Sequence, residues 1–225
     1  MARLRGGEAP GRLKLGVLIS GRGSNLQALL NAAAAPDFPA TVALVLSNKA
    51  DAAGLERARG AGIPALALPH KDFADKPAFE QAMTRALEDA GVQLVCLAGF
   101  MRLLSPWFVD HWRDRLINIH PSLLPAFPGI DTHQRALDAG VRFHGCTVHY
   151  VRSEVDSGPI VAQAAVPVRA DDTADTLSTR VLTAEHELYP LAVRLIAEGR
   201  VTVAGNRAVL TTPLPIPATA MNPAL

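Results

Sequence analysis

A chain of 225 residues with 49% hydrophobic content can bury a sizeable core, as one large α/β domain or as two small ones. Its 22 Lys and Arg against 21 Asp and Glu, with no block of like charge, argue against an extended nucleic-acid or anionic-membrane surface and leave small anions to local sites. The cysteines Cys96 and Cys146 make neither a close pair nor a disulfide framework, and neither a signal-peptide apolar core nor a bilayer-length run is present, so a soluble cytoplasmic protein with reduced thiols is expected.

Residues 1–12 carry Gly, Arg and Pro without periodicity and read as a flexible lead-in. The apolar run Leu15 to Ile19, the turn Ser20-Gly21-Arg22-Gly23-Ser24-Asn25 and the helix-favouring Leu26 to Leu30 make a strand, a glycine turn and a helix. Thr41 to Ser47 is a second strand, residues 50–61 its crossover helix, and Pro64 to Leu68 a third strand. A polar loop from His70 to Lys76 leads to a helix from Pro77 to Ala90, then to a buried strand from Val92 to Ala98. Ser105 and Pro106 suit the cap and first turn of a short helix, followed by the strand at Leu116. Pro121 to Asp131 is too irregular for either period and forms a loop; Thr132 to Ala139 is a short helix ended by Gly140. Gly145 to Val151 and Pro159 to Val166 are strands that suggest an antiparallel addition. Asp172 to Glu198 suits a long helix that Pro190 should kink or divide, a hairpin around Gly205-Asn206 follows, and residues 212–225 read as an unstructured Pro-rich extension. The alternation of strands and helices gives a three-layer α/β fold with a mostly parallel sheet, Rossmann-like in its N-terminal half, as a single domain over 13–211.

Chemistry concentrates in three places. In an extended Leu116 to His120, Ile117 and Ile119 pack one way while Asn118 and His120 project the other. Pro121 ends the strand and leaves His120 at its carboxyl end, where open parallel sheets bind ligands; a satisfied core polar pair fits the segment equally well. The glycine turn would aim backbone N–H groups at an anion such as phosphate, or is simply a tight turn needing glycine conformations. Leu26 stands at the third-glycine place of G-x-G-x-x-G, no carboxylate follows the second strand at Ser47-Asn48, and no P-loop Gly-Lys-Ser/Thr occurs, so a monophosphate fits better than NAD or ATP. Asp156, on the loop between two strands, is either a turn former or the partner that orients an imidazole. With Asn118 and His120 it would suit acyl transfer, the amide and imidazolium N–H groups bonding an oxyanion and the carboxylate supporting the cation. His144, Cys146 and His149 lie close together, but alternation puts His149 on the opposite strand face, so no metal site is expected. No G-x-S-x-G elbow surrounds a serine and Cys96 sits in an apolar run, so direct attack of one substrate on another is the simpler scheme.

Four segments in this order, Gly21-Arg22-Gly23-Ser24-Asn25-Leu26-Gln27, Leu97-Ala98-Gly99-Phe100-Met101-Arg102-Leu103-Leu104, Asn118-Ile119-His120-Pro121-Ser122-Leu123-Leu124-Pro125 and Asp156-Ser157-Gly158-Pro159-Ile160, resemble the phosphoribosylglycinamide formyltransferase family over residues 13–211. The resemblance implies a ribonucleotide-binding half at about 13–112 and a folate-binding, catalytic half at about 113–211. It implies transfer of a formyl group from the co-substrate 10-formyltetrahydrofolate to the amine of glycinamide ribonucleotide in purine synthesis, without a metal, by a monomer or homodimer. Asn118, His120 and Asp156 match the family's catalytic set, while Gly23, Ser24 and Asn25 match its phosphate site. Glu185 matches a contact to the glycinamide portion. Met101, Arg102, Leu103 and Leu104 match the segment lining the pterin pocket, with Arg152, Ser153, Glu154, Val155 and Asp156 closing over the ring and Asn118 beside it. Lys76 stands where the family meets the folate tail with Arg, keeping the charge without the planar fork. Arg22 is bulkier than the residue associated with its place in the turn.

Methionyl-tRNA formyltransferase and formyltetrahydrofolate deformylase share the H-P-S-L-L-P-like segment and the distant aspartate. The first normally adds a C-terminal RNA-binding domain and the second an N-terminal regulatory domain, so size and the glycine turn favour the nucleotide acceptor. The deformylase and a non-catalytic phosphate- or folate-binding module are the alternatives.

Overall fold

The computed structural model describes residues 11–213 together with 221 and 222. The lead-in at 1–10 and the tail positions 214–220 and 223–225 lie outside the described residues. The elements, in chain order, are β1 (Leu13–Ile19), α1 (Ser24–Ala34), β2 (Ala40–Ser47), α2 (Ala53–Gly60), β3 (Ala65–Ala67), α3 (Lys76–Asp89), β4 (Leu94–Leu97), α4 (Pro106–His111), β5 (Leu116–His120), α5 (Thr132–Asp138), β6 (Phe143–Tyr150), β7 (Ile160–Pro167), α6 (Ala174–Ala197), β8 (Val201–Ala204) and β9 (Arg207–Leu210). Seven strands form one sheet in the order β3-β2-β1-β4-β5-β6-β7, parallel from β3 through β5 and antiparallel from β5 through β7. The α/β sheet with an antiparallel addition is thus present, and β8 and β9 form a separate hairpin.

Winding runs outward from β1 to β3 and then returns to β4 on the other side of β1. A crevice opens at such a reversal, beyond the strands' carboxyl ends. Alternate side chains divide the core into two layers. Val17, Ile19, Ile117, Ile119 and Val148 meet Leu26 and Leu29 of α1 and Val181 and Tyr189 of α6. Leu18, Leu46, Val95 and Leu97 meet Phe79 and Met83 of α3 and Phe108 of α4 on the opposite side, beside Trp112. Ile117 and Ile119 therefore pack on one face of β5, as its alternation requires.

Helix starts follow the capping residues. Asp75 accepts from the backbone N–H of Ala78 at 2.8 Å ahead of α3, and Ser105 accepts from that of Phe108 at 3.3 Å ahead of α4. Thr173 and Thr176 cap α6 reciprocally. Of the two effects expected of Pro190, a kink or a division, the division does not occur: α6 runs unbroken for 24 residues. A proline inside a helix costs about 3 kcal/mol. Around it Leu188, Tyr189, Ala192 and Val193 are all buried, each large apolar side chain contributing about 1.5–3 kcal/mol, and the Tyr189 hydroxyl donates to the Leu97 carbonyl at 2.9 Å. Tertiary burial outweighs the local break. Of the described tail residues, Asn222 donates through its amide to the carbonyls of Arg142 and Val168 at 2.6 and 3.0 Å.

Asp172, ahead of α6, takes a forked ion pair from Arg180, with both N–H···O distances 2.8 Å. The guanidinium holds its carboxyl well below the usual carboxylate range. The folded pKa is depressed, so this stability is fully present above the unfolded value near pH 4 and is lost as pH falls toward the folded one. Urea midpoints should therefore show Asp172→Asn less stable than the parent at neutral pH, with the gap shrinking below about pH 4. A constant gap down to pH 2 would overturn the ion-pair account.

Candidate active site

The chain leaves β1 through Ser20 and Gly21 and enters α1 at Gly23, whose φ of 71° lies in the left-handed region. A Cβ there would stand 2.8 Å from the Cα of Gly54, so glycine is required by conformation and by close approach alike. Among the described residues no side chain caps α1. The orphan N–H groups of its first turn open onto a cavity of about 520 Å³, lined by residues 20–25, Gly99, Met101, Ser178, Leu182 and Glu185. That is the arrangement a phosphate needs. The side chain of Asn25 is already engaged: its Nδ2 donates to Glu185 at 2.7 Å across 160 residues of chain. Glu185 is buried, not the solvated helix residue its local sequence suggests, and burial raises its pKa against the lowering effect of the Asn25 bond. Arg22 lines the cavity, and its carbonyl accepts from Arg57 Nε at 2.9 Å.

At the end of β5, Asn118 and His120 project from one face, and the loop after β6 brings Asp156 to them. Asp156 has φ 53°, a left-handed conformation that Asp tolerates. Its Oδ2 lies 3.4 Å from His120 Nδ1 and accepts from the Gly129 N–H at 2.8 Å. On the far side of the ring, His120 Nε2 donates to the Phe127 carbonyl at 3.0 Å. Both ring nitrogens thus face oxygen acceptors, and the N–H expected to meet a substrate oxygen is held by the 121–131 loop. His149 is the residue that sequence reasoning missed. It lies directly across from Asn118 in the β5–β6 register, with Nε2 3.4 Å from Asn118 Nδ2 and 3.8 Å from Asp156 Oδ1. Alternation separated it correctly from His144 and Cys146, but only strand pairing reveals its neighbour.

A second cavity, about 710 Å³, adjoins the first along Gly99, Met101, Ile119, Pro121 and His133, and takes in Asn118, His120 and Asp156. A third, about 150 Å³, continues between Leu104, Val109, Asn118, His149 and residues 151–156. Met101, Leu103 and Val155 stand exposed around these openings, at 76%, 72% and 54%, an apolar rim that a flat ring could cover. Arg102, Leu104, Arg152, Ser153 and Glu154 line the same small cavity. Ser20, unremarked in the sequence beyond its place in the turn, accepts from the Met101 N–H at 2.8 Å and so ties this segment to β1. Lys76 lies apart, at the start of α3 and 3.9 Å from Glu80, and lines none of these three cavities. The loop bearing Asp156 closes at Gly158, where a Cβ would stand 1.6 Å from the Tyr150 carbonyl oxygen. Gly158→Ala should thus cost about 1–3 kcal/mol in a denaturant melt and lower turnover at least tenfold; an unchanged melt and rate would show that the loop has slack.

Among the described residues no group of three or more His, Cys, Asp or Glu is arranged to hold a metal. Burial pushes Cys96 and Cys146 up to about 12, so both are protonated thiols, and burial with neighbouring His133 pushes His144 down to about 4. No helix of the described residues is long and apolar enough to cross a membrane.

A family model described as formyl transferase matches residues 13–193. The chain is 48% identical over 194 residues to phosphoribosylglycinamide formyltransferase of Escherichia coli (strain K12), covering 86% of this chain and 92% of that protein. It is 50% identical over 192 residues to trifunctional purine biosynthetic protein adenosine-3 of Gallus gallus, covering 85% of this chain and 19% of that protein. It thus spans about a fifth of the length of that trifunctional relative. The fold overlays on glycinamide ribonucleotide transformylase 1 from Symbiobacterium toebii with a TM-score of 0.87 and 48% identity, covering 90% of this chain and 95% of that one. It overlays on phosphoribosylglycinamide formyltransferase from Brucella melitensis with a TM-score of 0.81 and 54% identity, covering 86% and 100%.

Proposed function

The chain belongs to the formyl transferase family, and from that membership we propose that it transfers the formyl group of 10-formyltetrahydrofolate to the amine of glycinamide ribonucleotide in purine biosynthesis. The observation that supports this most is that the cavity carrying the helix N-terminus of α1 adjoins, along Gly99, Met101, Ile119, Pro121 and His133, a second cavity with an apolar rim that takes in Asn118, His120 and Asp156. Two substrates bound side by side would place amine and formyl carbon together without a covalent enzyme intermediate.

In this reading the phosphate lies on the N–H groups at Gly23, Ser24 and Asn25, and Glu185, anchored by Asn25, meets the glycinamide portion. The pterin ring occupies the space between residues 101–104 and 152–156, and Lys76 reaches only the distal, charged tail. The amine attacks the formyl carbon, forming a C–N bond and an oxyanion. The oxyanion accepts from Asn118 Nδ2–H and from His120 Nε2–H, which it takes over from the Phe127 carbonyl. Asp156 holds the ring from the other side and supports its charge. A proton leaves the attacking nitrogen and reaches the folate nitrogen, directly through His120 or through water, as the second C–N bond breaks. The products are the N-formylated ribonucleotide and tetrahydrofolate. The partners are small molecules, and a cytoplasmic monomer or homodimer with reduced thiols completes the reading.

Incubation with 10-formyltetrahydrofolate, with and without glycinamide ribonucleotide, tests it through the appearance of tetrahydrofolate. Turnover that requires the ribonucleotide is expected. Equal turnover in water alone would make the chain a hydrolase, and none in either would point to a binder or to the tRNA enzyme.

A further inference from the structure

His149 is a buried ionisable side chain to which the proposed reaction gives no task. Only 1% exposed, it touches two of the three residues that would carry the chemistry. Its Nδ1 lies 3.0 Å from the Tyr150 carbonyl oxygen. A carbonyl only accepts, so Nδ1 bears the proton. The groups around the ring are the Tyr150 carbonyl, Asp156 from the following loop and His120 from β5. Burial outweighs the stabilising pull of the first two and keeps the ring's pKa below the usual histidine value. Nε2 of the neutral ring therefore carries a lone pair, 3.4 Å from Asn118 Nδ2. An amide N–H satisfies that lone pair. The same amide turned over would set its oxygen there, acceptor against acceptor.

We propose that His149 is a positioning residue: its Nδ1–H tautomer, held by Tyr150, locks the orientation of the Asn118 amide and leaves that amide's second N–H for the formyl oxygen. The proposal rests on the reaction described above. The same lone pair gives Asp156, 3.8 Å away, no donor, so the carboxylate stays with His120 and the Gly129 N–H. A proton on Nε2 would reverse both effects, drawing Asp156 from His120 and repelling the Asn118 NH₂ group.

Long-range ¹H–¹⁵N correlation spectra of the full chain without substrate should show His149 protonated at Nδ1 and bare at Nε2 at neutral pH. A neutral ring protonated at Nε2, or an imidazolium, overturns the proposal whichever reaction the chain performs. In kinetics, His149→Gln retains an acceptor oxygen near the Nε2 position and should keep kcat within about tenfold of the parent, whereas His149→Leu removes it and should lose about 100-fold with folate KM within about threefold. Placed on Asn118→Ala, His149→Leu should cost less than about threefold more, because the residue it positions is already gone. Equal losses in the two single variants, or full additivity in the double, overturn the proposal. Should the leucine variant not fold, the tautomer and the His149→Gln rate decide. A parent chain that turns over nothing removes the proposed reaction, while the tautomer still tests the amide lock.

Discussion

Asp156→Asn is expected to lose kcat by about 10²- to 10³-fold while 10-formyltetrahydrofolate still binds, and His120→Ala to lose at least as much. The aspartate substitution separates charge from shape. Asparagine tolerates the left-handed φ of 53° and its side-chain oxygen still accepts from the Gly129 N–H, so the loop should keep its course. What goes is the negative charge 3.4 Å from His120 Nδ1, and with it the support for a ring that in the proposed reaction donates to an oxyanion. In His120→Ala the donor itself is absent, and the Phe127 carbonyl loses its partner as well. Stopped-flow measurement of folate binding beside steady-state turnover checks both. Near-normal kcat in either variant would sink the assignment of these residues, and lost folate binding in Asp156→Asn would show that the loop, not the charge, had been disturbed.

Gly23→Ala should raise KM for the ribonucleotide by about 10- to 100-fold with little change in folate KM. An L-residue in the left-handed region costs about 1–2 kcal/mol, and the new methyl would press on the Cα of Gly54 at 2.8 Å, a backbone atom that cannot rotate away. The turn must open, and the N–H groups of α1 swing with it. The proposed phosphate would feel this first, since it depends on several N–H groups converging, while the segment at Met101 is held by the Ser20 hydroxyl, which precedes the turn's two glycines. Inorganic phosphate as a competitive inhibitor offers a direct reading: its Ki should rise with KM. If ribonucleotide KM stayed put, the phosphate would have to lie elsewhere.

The two faces of β5 were legible because a strand's alternation is written in adjacent residues: Ile117 and Ile119 could only go together, and so could Asn118 and His120. The glycine turn was legible for the same reason, a strand, two glycines and a helix in unbroken succession. Glu185 was not, since nothing in Thr183-Ala184-Glu185-His186 tells that α6 crosses over α1 and sets this carboxylate against Asn25. The continuity of α6 was hidden too, because Pro190 is a local breaker and the burial that overrides it is collected from β4, β6 and α1.

Local physics, then, determined the elements, the strand end at His120 and the anion-ready turn, because each depends on backbone preferences and side-chain spacing within a few residues. The register of β5 against β6 lay beyond it: one residue of slip would turn His149 away from Asn118, and the side-chain pattern of either strand alone permits it. So did the bond from His120 to the Phe127 carbonyl, which a loop makes by folding back on its own strand. Contacts between segments far apart in the chain are selected by the burial of the whole sheet between its two helical layers, and only the tertiary structure carries that selection.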